Sequence, residues 1–167
     1  MALASSSKIT PCLWFSNNAE EAAQCYVGIF PNSRIVHTTR YPEAGQEVHG
    51  QKPGSVLTVD FVLDGQSFTG LNGGPVFTFT EAVSFQIMCE TQDEVDHYWS
   101  RLGDGGPVEA QQCGWIKDRF GLSWQVVPKG MVRMLSDPDG VKVNRVFGAM
   151  MQMKKLDLPA LERAFAG

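Results

Sequence analysis

The chain has 167 residues, of which 43% are hydrophobic and 19% are charged, and this composition predicts one compact domain with its own core. The net charge of -4 and the lack of any run of Lys or Arg argue against partners bound through their negative charge, such as nucleic acid or an anionic membrane surface. Small neutral or cationic ligands remain open.

The first residues, MALASSSKIT, lack the basic start and the apolar run of a secretory leader. No stretch of the sequence reaches the roughly 20 apolar residues of a membrane span. We therefore expect a cytoplasmic protein.

The first half of the chain reads as strand, helix and three further strands. The strand ITPCLWF leads to Asn18, which with Glu21 forms a predicted capping box. The helix that follows has apolar residues at i, i+3, i+4 and i+7. These are Ala22, Cys25, Tyr26 and Ile29. The strands SRIVHTTRY, SVLTVDFVLDG and QSFTGLN come next, with a tight turn predicted at the Asp-Gly pair 64–65. The polar segment 42–54, PEAGQEVHGQKPG, predicts a mobile loop that could act as a lid.

The second half repeats this plan with few identical letters. The strand VSFQIMC leads to Thr91 and Glu94, a second capping box that lies 73 positions after the first. The apolar stripe recurs at the same offset, in Val95, Tyr98, Trp99 and Leu102. The predicted strands that follow are PVEAQQ, CGWIKD and LSWQVVP. Asp118 and Gly121 are interpreted as formers of the last hairpin turn.

From Lys129 onward the pattern becomes helical. Asp137 before Pro138 predicts a helix start, and an apolar stripe follows. The stripe consists of Val143, Val146, Phe147, Met150 and Met151, and a last short helix carries Leu161 and Phe165. A methionine-rich stripe of this kind is typical of packing against a sheet or a second subunit.

These elements predict an α+β fold of paired βαβββ modules with a C-terminal helical extension. We expect a single domain over 1–167, with a first module at 8–75, a second at 76–128 and a helical tail at 129–167.

The cysteines and histidines lack the spacing of metal ligands. They are Cys12, Cys25, Cys89 and Cys113, and His37, His49 and His97. No CxxC, HxH or HxxxH pattern occurs among them. Each cysteine lies in an apolar context, which is typical of a small buried hydrophobic side chain.

Tandem βαβββ halves resemble the vicinal-oxygen-chelate superfamily, which includes glyoxalase I, extradiol dioxygenases and bleomycin-resistance proteins. Five strings resemble its PhnB-like branch, whose members often carry the domain name 3-demethylubiquinone-9 3-methyltransferase. They are ITPCLWF, AEEAAQCYVGIFPNSRI, FTGLNGGP, CGWIKDRFGLSWQVVP and MQMKKLDLPALERAFAG.

A methyltransferase that uses S-adenosylmethionine is expected to have a glycine-rich turn between a strand and a helix. The glycine-rich string LNGGP, at 71–75, leads instead into VFTFTEAVSF, which does not read as a helix. The sequence therefore disfavours the activity in the domain name.

The resemblance implies that each half forms a cupped sheet, with metal ligands on its first and last strands. The matching positions are Thr10 or Cys12, Asn72, Ser84 or Gln86, and Gln125. They include no carboxylate or imidazole, and hydroxyl and amide groups are weak ligands for divalent transition metals. We therefore expect no metal and no other cofactor. His37 could complete a metal site, although a lone histidine on a strand is more often structural. His49 in the loop could also swing in, whereas His97 is expected on the surface. A register shift of one residue would reverse which side chains face the cup.

We expect a small-molecule pocket with aromatic walls and a few hydrogen-bonding groups. The predicted ligand-binding residues are Trp14, Phe68, Asn72, Gln86, Trp115, Trp124 and Gln125. The first hypothesis is a metal-free binding protein, in which tryptophan stacks on a flat or cationic ligand. The alternative is a lyase, isomerase or dioxygenase-type enzyme with an atypical metal site. The sequence identifies neither the ligand nor a catalytic residue. The resemblance also implies a homodimer, and the apolar tail offers a surface for it.

Overall fold

The computed structural model describes residues 8–167. They divide into a first unit that ends at Thr78 and a second unit from Phe79 to Gly167, each with its own sheet. The mixed α+β class predicted from the sequence is confirmed. Between residues 8 and 167, every helix is too short or too polar to cross a bilayer.

The first unit has the predicted β-α-β-β-β order. Its elements are β1 Cys12–Phe15, α1 Ala19–Val27, β2 Arg34–Arg40, α2 Gln46–His49, β3 Val56–Leu63 and β4 Gln66–Asn72. The sheet order is β1-β4-β3-β2, with β1 parallel to β4 and the other pairs antiparallel. The one-turn helix α2 lies within the segment 42–54, whose predicted mobility and lid role stay predictions.

Helix α1 packs against β2, β3 and β4 and covers one face of this sheet. Tyr26 of α1 is fully buried and lies 6.3 Å from the Phe61 ring, which in turn stacks on Phe68 at 5.5 Å. A Cβ atom added at Gly70 would lie 3.2 Å from Ala19 Cβ, so glycine allows the helix to approach β4 closely. Because side chains alternate along a strand, Phe68, Gly70 and Asn72 share this covered face.

The start of α1 differs from the prediction. Asn18 forms no side-chain capping bond, and its backbone has φ -117° and ψ 22° rather than the extended conformation of an N-cap. The first backbone amide of the helix, Ala19 N, donates instead to Asn72 Oδ1 at 2.9 Å. The capping box predicted at Asn18 is therefore wrong, because a residue at the end of β4 provides the cap.

The hairpin between β3 and β4 turns at Asp64 and Gly65, as predicted. Leu63 pairs with Gln66, and the two turn residues have φ values of +44° and +83°. Positive φ at both positions is typical of a type I′ turn, which matches the twist of the flanking strands.

The second unit has a smaller sheet and a helical tail. Its elements are β5 Ser84–Cys89, α3 Gln92–Gly103, a 3₁₀ turn at Val108–Ala110, β6 Trp115–Lys117, β7 Ser123–Pro128, α4 Lys129–Leu135, α5 Gly140–Met150 and α6 Leu158–Ala166. The sheet order is β5-β7-β6, with β5 parallel to β7 and β6 antiparallel to it. Helix α3 starts as predicted, because Thr91 Oγ1 accepts a hydrogen bond from Glu94 N at 3.2 Å.

The predicted strand PVEAQQ is wrong. Residues 108–110 form the 3₁₀ turn, and Gln112 has only an isolated bridge to Trp115. The next two backbone amides form hydrogen bonds with the C-terminal tail. Cys113 N donates to Met153 O at 2.9 Å, and Gly114 N donates to Lys154 O at 2.8 Å. In the described residues, the second sheet therefore has no counterpart of β2.

The hairpin between β6 and β7 is organised around the buried Asp118, which is 3% exposed. Its carboxylate accepts hydrogen bonds from Phe120 N at 2.9 Å, Leu122 N at 3.0 Å and the indole of Trp124 at 2.8 Å. Gly121 has φ +89°. The turn-forming roles predicted for Asp118 and Gly121 are confirmed.

The tail helices pack on the end of β7. Their buried cluster consists of Val127, Met131, Met134, Val146, Leu156 and Leu161. Gln92 of α3 links this helix to the tail by two hydrogen bonds: its side chain accepts from Leu158 N at 2.7 Å and donates to Leu156 O at 3.2 Å. The predicted cap Asp137 is wrong: Asp139 caps α5 by accepting from Val141 N at 2.9 Å.

Candidate functional site

The face of the first sheet opposite α1 has a polar row that crosses all of its strands. Cys12 of β1 is in register with Thr69 of β4, Thr69 with Asp60 of β3, and Asp60 with His37 of β2. All four residues are exposed or half-buried. We call these four residues together with Trp14 the first open face.

Within this row, the Thr69 hydroxyl donates to Asp60 Oδ1 at 2.7 Å. Desolvation, followed by the negative charge of Asp60, raises the pKa of the Cys12 thiol. Cys12 is therefore protonated at neutral pH, which makes it a poor nucleophile and a poor metal ligand. The sequence interpretation missed Asp60; its signal is a lone carboxylate inside an otherwise apolar strand.

Trp14 covers the glycine pair that follows β4. Its indole N–H donates to Gly74 O at 2.9 Å, and its ring meets Phe77 edge-on with centroids 4.9 Å apart. A Cβ atom at Gly73 would lie 2.1 Å from the Trp14 ring, so only glycine fits there. The glycines of LNGGP thus make room for an indole, and residues 75–83 after them are not helical.

The second sheet has a different polar row. Gln86 of β5 is in register with Gln125 of β7, and Gln125 with Trp115 of β6. Gln125 Nε2 donates to Ser84 Oγ at 2.8 Å, and Gln86 Nε2 donates to Gln125 Oε1 at 3.3 Å. We call Ser84, Gln86, Trp115, Lys117 and Gln125 the second open face, since Lys117 is two residues from Trp115 and so points to the same side.

Lys117 forms an ion pair with Glu81, in the irregular segment before β5. The hydrogen bond from Lys117 is the main cause that lowers the pKa of the Glu81 carboxyl. Ser123, the register partner of Lys117 on β7, is 1% exposed, and its hydroxyl has no hydrogen-bond partner within residues 8–167. A cation and an orphaned hydroxyl therefore lie beside the amide row.

Three predicted ligand-binding residues are almost fully buried. Phe68 stacks on Phe61, and Asn72 caps α1 while its Nδ2 donates to Val56 O at 3.1 Å. Trp124 is 2% exposed, with its indole bound to Asp118. Thr69 belongs to the first open face and Asn72 does not, because residues that are an odd number of positions apart on a strand point to opposite sides of the sheet. The structure brings Gln86, Trp115 and Gln125 together, and it sets Trp14 on the other sheet.

The donor set does not fit a tightly held divalent ion. Among residues 8–167, no three His, Cys, Asp or Glu side chains lie close enough to bind one together. His37 stands in the Asp60 row, whereas the His49 ring packs at 4.7 Å on Tyr41 and accepts from Gln51 N. His97 is exposed on α3. The remaining thiol, hydroxyl and amide groups offer a transition metal too little charge and donor strength.

A separate polar pocket of about 320 Å³ opens in the first unit at the start of α1. Its walls are formed by Asn17, Glu20, Gln51, Lys52, Ser55, Val56 and Asn72. Tyr41 supports this wall, because its hydroxyl donates to Asn72 O at 2.6 Å.

The family described as 3-demethylubiquinone-9 3-methyltransferase matches residues 7–127 of the chain. The chain belongs to this family. Among solved structures, it is similar to a PhnB protein from Bacillus cereus that is described with the same methyltransferase name. The two are 35% identical, the match covers 73% of this chain and 99% of that chain, and the TM-score is 0.63.

Two more distant structures share the fold of this PhnB-like chain. The protein PA1353 from Pseudomonas aeruginosa is 20% identical over 74% of this chain and 98% of its own, with a TM-score of 0.56. The fosfomycin resistance protein FosX from Mesorhizobium loti is 14% identical over 73% of this chain and 90% of its own, with a TM-score of 0.50. The predicted membership of the vicinal-oxygen-chelate superfamily, PhnB-like branch, is confirmed. A comparison with curated proteins found no match.

Proposed function

We propose that this PhnB-like protein binds a small organic molecule on the second open face without a tightly held metal ion. The observation that carries the proposal is the bonded row of Gln86, Gln125 and Ser84 beside the Trp115 indole. An aromatic wall with a few oriented polar groups is the usual composition of a small-molecule site. Trp14 is assigned a similar wall role on the first open face. Phe68, Asn72 and Trp124 are assigned structural roles, since their contacts account for them.

The amide row supports binding because its geometry is already set. The Gln125 side chain is held at both ends, by Ser84 and Gln86, so little conformational freedom is lost when a ligand binds. Gln86 remains exposed and offers its carbonyl oxygen to a donor. Trp115 provides the flat apolar surface on which an aromatic ring stacks.

A ligand screen by tryptophan fluorescence tests the proposal. We expect Gln125→Ala to weaken any ligand found by about tenfold, the effect of one or two lost hydrogen bonds. Trp115→Phe should reduce the fluorescence response, whereas the matched variant Trp99→Phe on α3 should not. A ligand whose affinity is unchanged in both Gln125→Ala and Trp115→Phe would contradict the assignment of this face.

The alternative is a lyase, isomerase or dioxygenase-type enzyme with an atypical metal site. The observation that favours it is the first open face, where Asp60 provides a carboxylate and His37 an imidazole in one row. Metal analysis of the purified chain separates the two functions. A stoichiometric divalent metal that is lost in His37→Ala would overturn the metal-free proposal.

Methyl transfer, the activity in the family's description, is the third candidate. The glycine pair after β4 does not lead into a helix, so in residues 71–83 the phosphate- or nucleotide-binding turn of such enzymes is missing. Calorimetric titration with S-adenosylmethionine provides the test. Saturable binding that Trp14→Ala abolishes would favour the methyltransferase.

We propose further that the protein forms a homodimer through its tail. Phe147 is 51% and Met151 43% exposed, and Met151, the C-cap of α5, lies one turn after Phe147. Phe147→Asp should shift the sedimentation coefficient from that of a dimer to that of a monomer, and an unchanged value would contradict this surface.

A cytoplasmic location is part of the same proposal, and it is supported by the free thiols of Cys12, Cys25, Cys89 and Cys113.

A further inference from the structure

The charge of the ligand is indicated by Lys117, the cation of the second open face. Of the three lysines Lys117, Lys129 and Lys155, each of which forms an ion pair in the second unit, Lys117 is the least exposed: its side chain is 24% exposed, against 43% for Lys129 and 41% for Lys155. A partly desolvated ammonium group attracts an anion more strongly than one surrounded by water, since the local dielectric constant is lower. Lys117 is thus the most effective anion-binding group of these lysines.

The present partner of Lys117 is easily replaced. Glu81 is 60% exposed and lies in an irregular segment, in the turn at 81–82 just before β5. Ion pairs of such exposed carboxylates contribute little to stability, because water solvates the free carboxylate well. Glu81 can therefore turn into solvent and leave Lys117 to another anion.

Two further groups beside Lys117 suit a carboxylate or phenolate. Ser123 lies opposite Lys117 in the strand register, and its buried hydroxyl lacks an acceptor in the described part of the chain. Gln125, two residues further along β7, has an amide that can donate to an anion. Trp115 lies two residues from Lys117 on the same side of β6. An aromatic ligand that stacks on Trp115 can therefore reach Lys117 with its acidic group.

We propose that the second open face selects planar aromatic anions, and that the anion replaces Glu81 as the partner of Lys117. This inference rests on the proposed function and names its ligand class. The net charge of -4 left small neutral or cationic ligands open, and this inference names an anion instead. Charges beyond about 8 Å are largely screened at physiological salt, so the nearest cation has more effect than the total charge.

The test uses probes of equal size and different charge. The unmodified chain is titrated by calorimetry with 2-naphthoate, 2-naphthalenemethanol and 2-naphthylmethylammonium. We expect 2-naphthoate to bind about tenfold more tightly than the alcohol. Added NaCl should reduce this difference, because salt screens an interaction between charges.

Variants of the ion pair make the assignment specific. Lys117→Met should remove the preference for 2-naphthoate, Lys117→Arg should retain it, and Glu81→Gln should strengthen 2-naphthoate binding several-fold. The matched control is Glu90→Gln, which removes the carboxylate of the Lys129 pair in the same unit and should change nothing. Circular dichroism checks that each variant is folded.

The outcomes separate this inference from the proposed function. Equal affinities for the three probes, or a preference for the ammonium, would overturn anion selection while still supporting a binding face. A preference for 2-naphthoate that persists in Lys117→Met would overturn the role of Lys117. If none of the probes binds but the broader fluorescence screen finds a ligand that depends on Gln125, anion selection fails and the proposed function stands.

Discussion

The two open faces occupy the same positions in two copies of one plan and have different chemistry. In the first, the row through the first, last and third strands of the module is Cys12, Thr69 and Asp60, and it continues to His37 on β2. In the second, the corresponding row is Gln86, Gln125 and Trp115. The strand framework is therefore preserved while its surface is free to change, because the core depends on the opposite, helix-covered face.

The edges of the two sheets differ as well. The first sheet continues to β2, whereas beside β6 the backbone carbonyls of Met153 and Lys154 accept hydrogen bonds that a strand would otherwise receive. The family match ends at residue 127, before the tail begins at Lys129. The tail thus takes over part of the role of an edge strand, and it covers backbone groups that would otherwise attract another chain.

The largest expected effect is a loss of stability that differs between the two hairpin turns. Asp118→Ala leaves two backbone amides and an indole without their acceptor inside the second unit, so we expect it to lower the free energy of unfolding by about 3 kcal/mol. Asp64→Ala in the exposed turn of the first unit should cost less than about 1 kcal/mol. Urea unfolding followed by circular dichroism measures both. Equal losses would contradict the central role of Asp118.

A smaller effect distinguishes how the two module helices begin. Asn72→Ala removes a cap from α1 and a bond to Val56 O, and we expect a loss of about 2 kcal/mol. Thr91→Ala removes the local cap of α3 and should cost about 1 kcal/mol. Asn18→Ala serves as the control and should be close to neutral in the same urea titration. A loss at Asn18 as large as that at Asn72 would restore the local capping box.

The smallest effect concerns the thiol of the first open face. Burial and, second to it, the charge of Asp60 raise the pKa of Cys12. Asp60→Asn removes the second cause, so that pKa should fall and alkylation of Cys12 at pH 8 should become a few-fold faster. Cys89 is the control: burial raises the pKa of its thiol to about 12, so it should remain unreactive at this pH in both proteins. Mass spectrometry of iodoacetamide-treated protein gives the two rates. An unchanged Cys12 rate would show that Asp60 does not act on the thiol.

The pattern of the sequence was sufficient for most of the first unit and for the helices of the second. Alternation located β3 and β4, the Asp64–Gly65 pair located their turn, and the spacing of apolar residues located α1 and α3. These are local signals, since each depends only on residues that are close together in the sequence. The strand predicted at 107–112 failed because the backbone amides that follow it, those of Cys113 and Gly114, bind Met153 and Lys154, which lie some 40 residues away in the sequence.

The amino-acid order alone indicated the fold family, through motifs that resemble it, and the order of most helices and strands, because short-range periodicity and turn chemistry encode those elements. It also determined the chemical types available for a site. Only the tertiary structure decided which of those side chains face outward. Pairing register set Thr69 on the open face and Asn72 beneath α1, and it buried Trp124 on Asp118 while it aligned Gln86, Gln125 and Trp115. Register arises from contacts between strands that are distant in sequence, and a shift of one residue exchanges the two faces of a sheet.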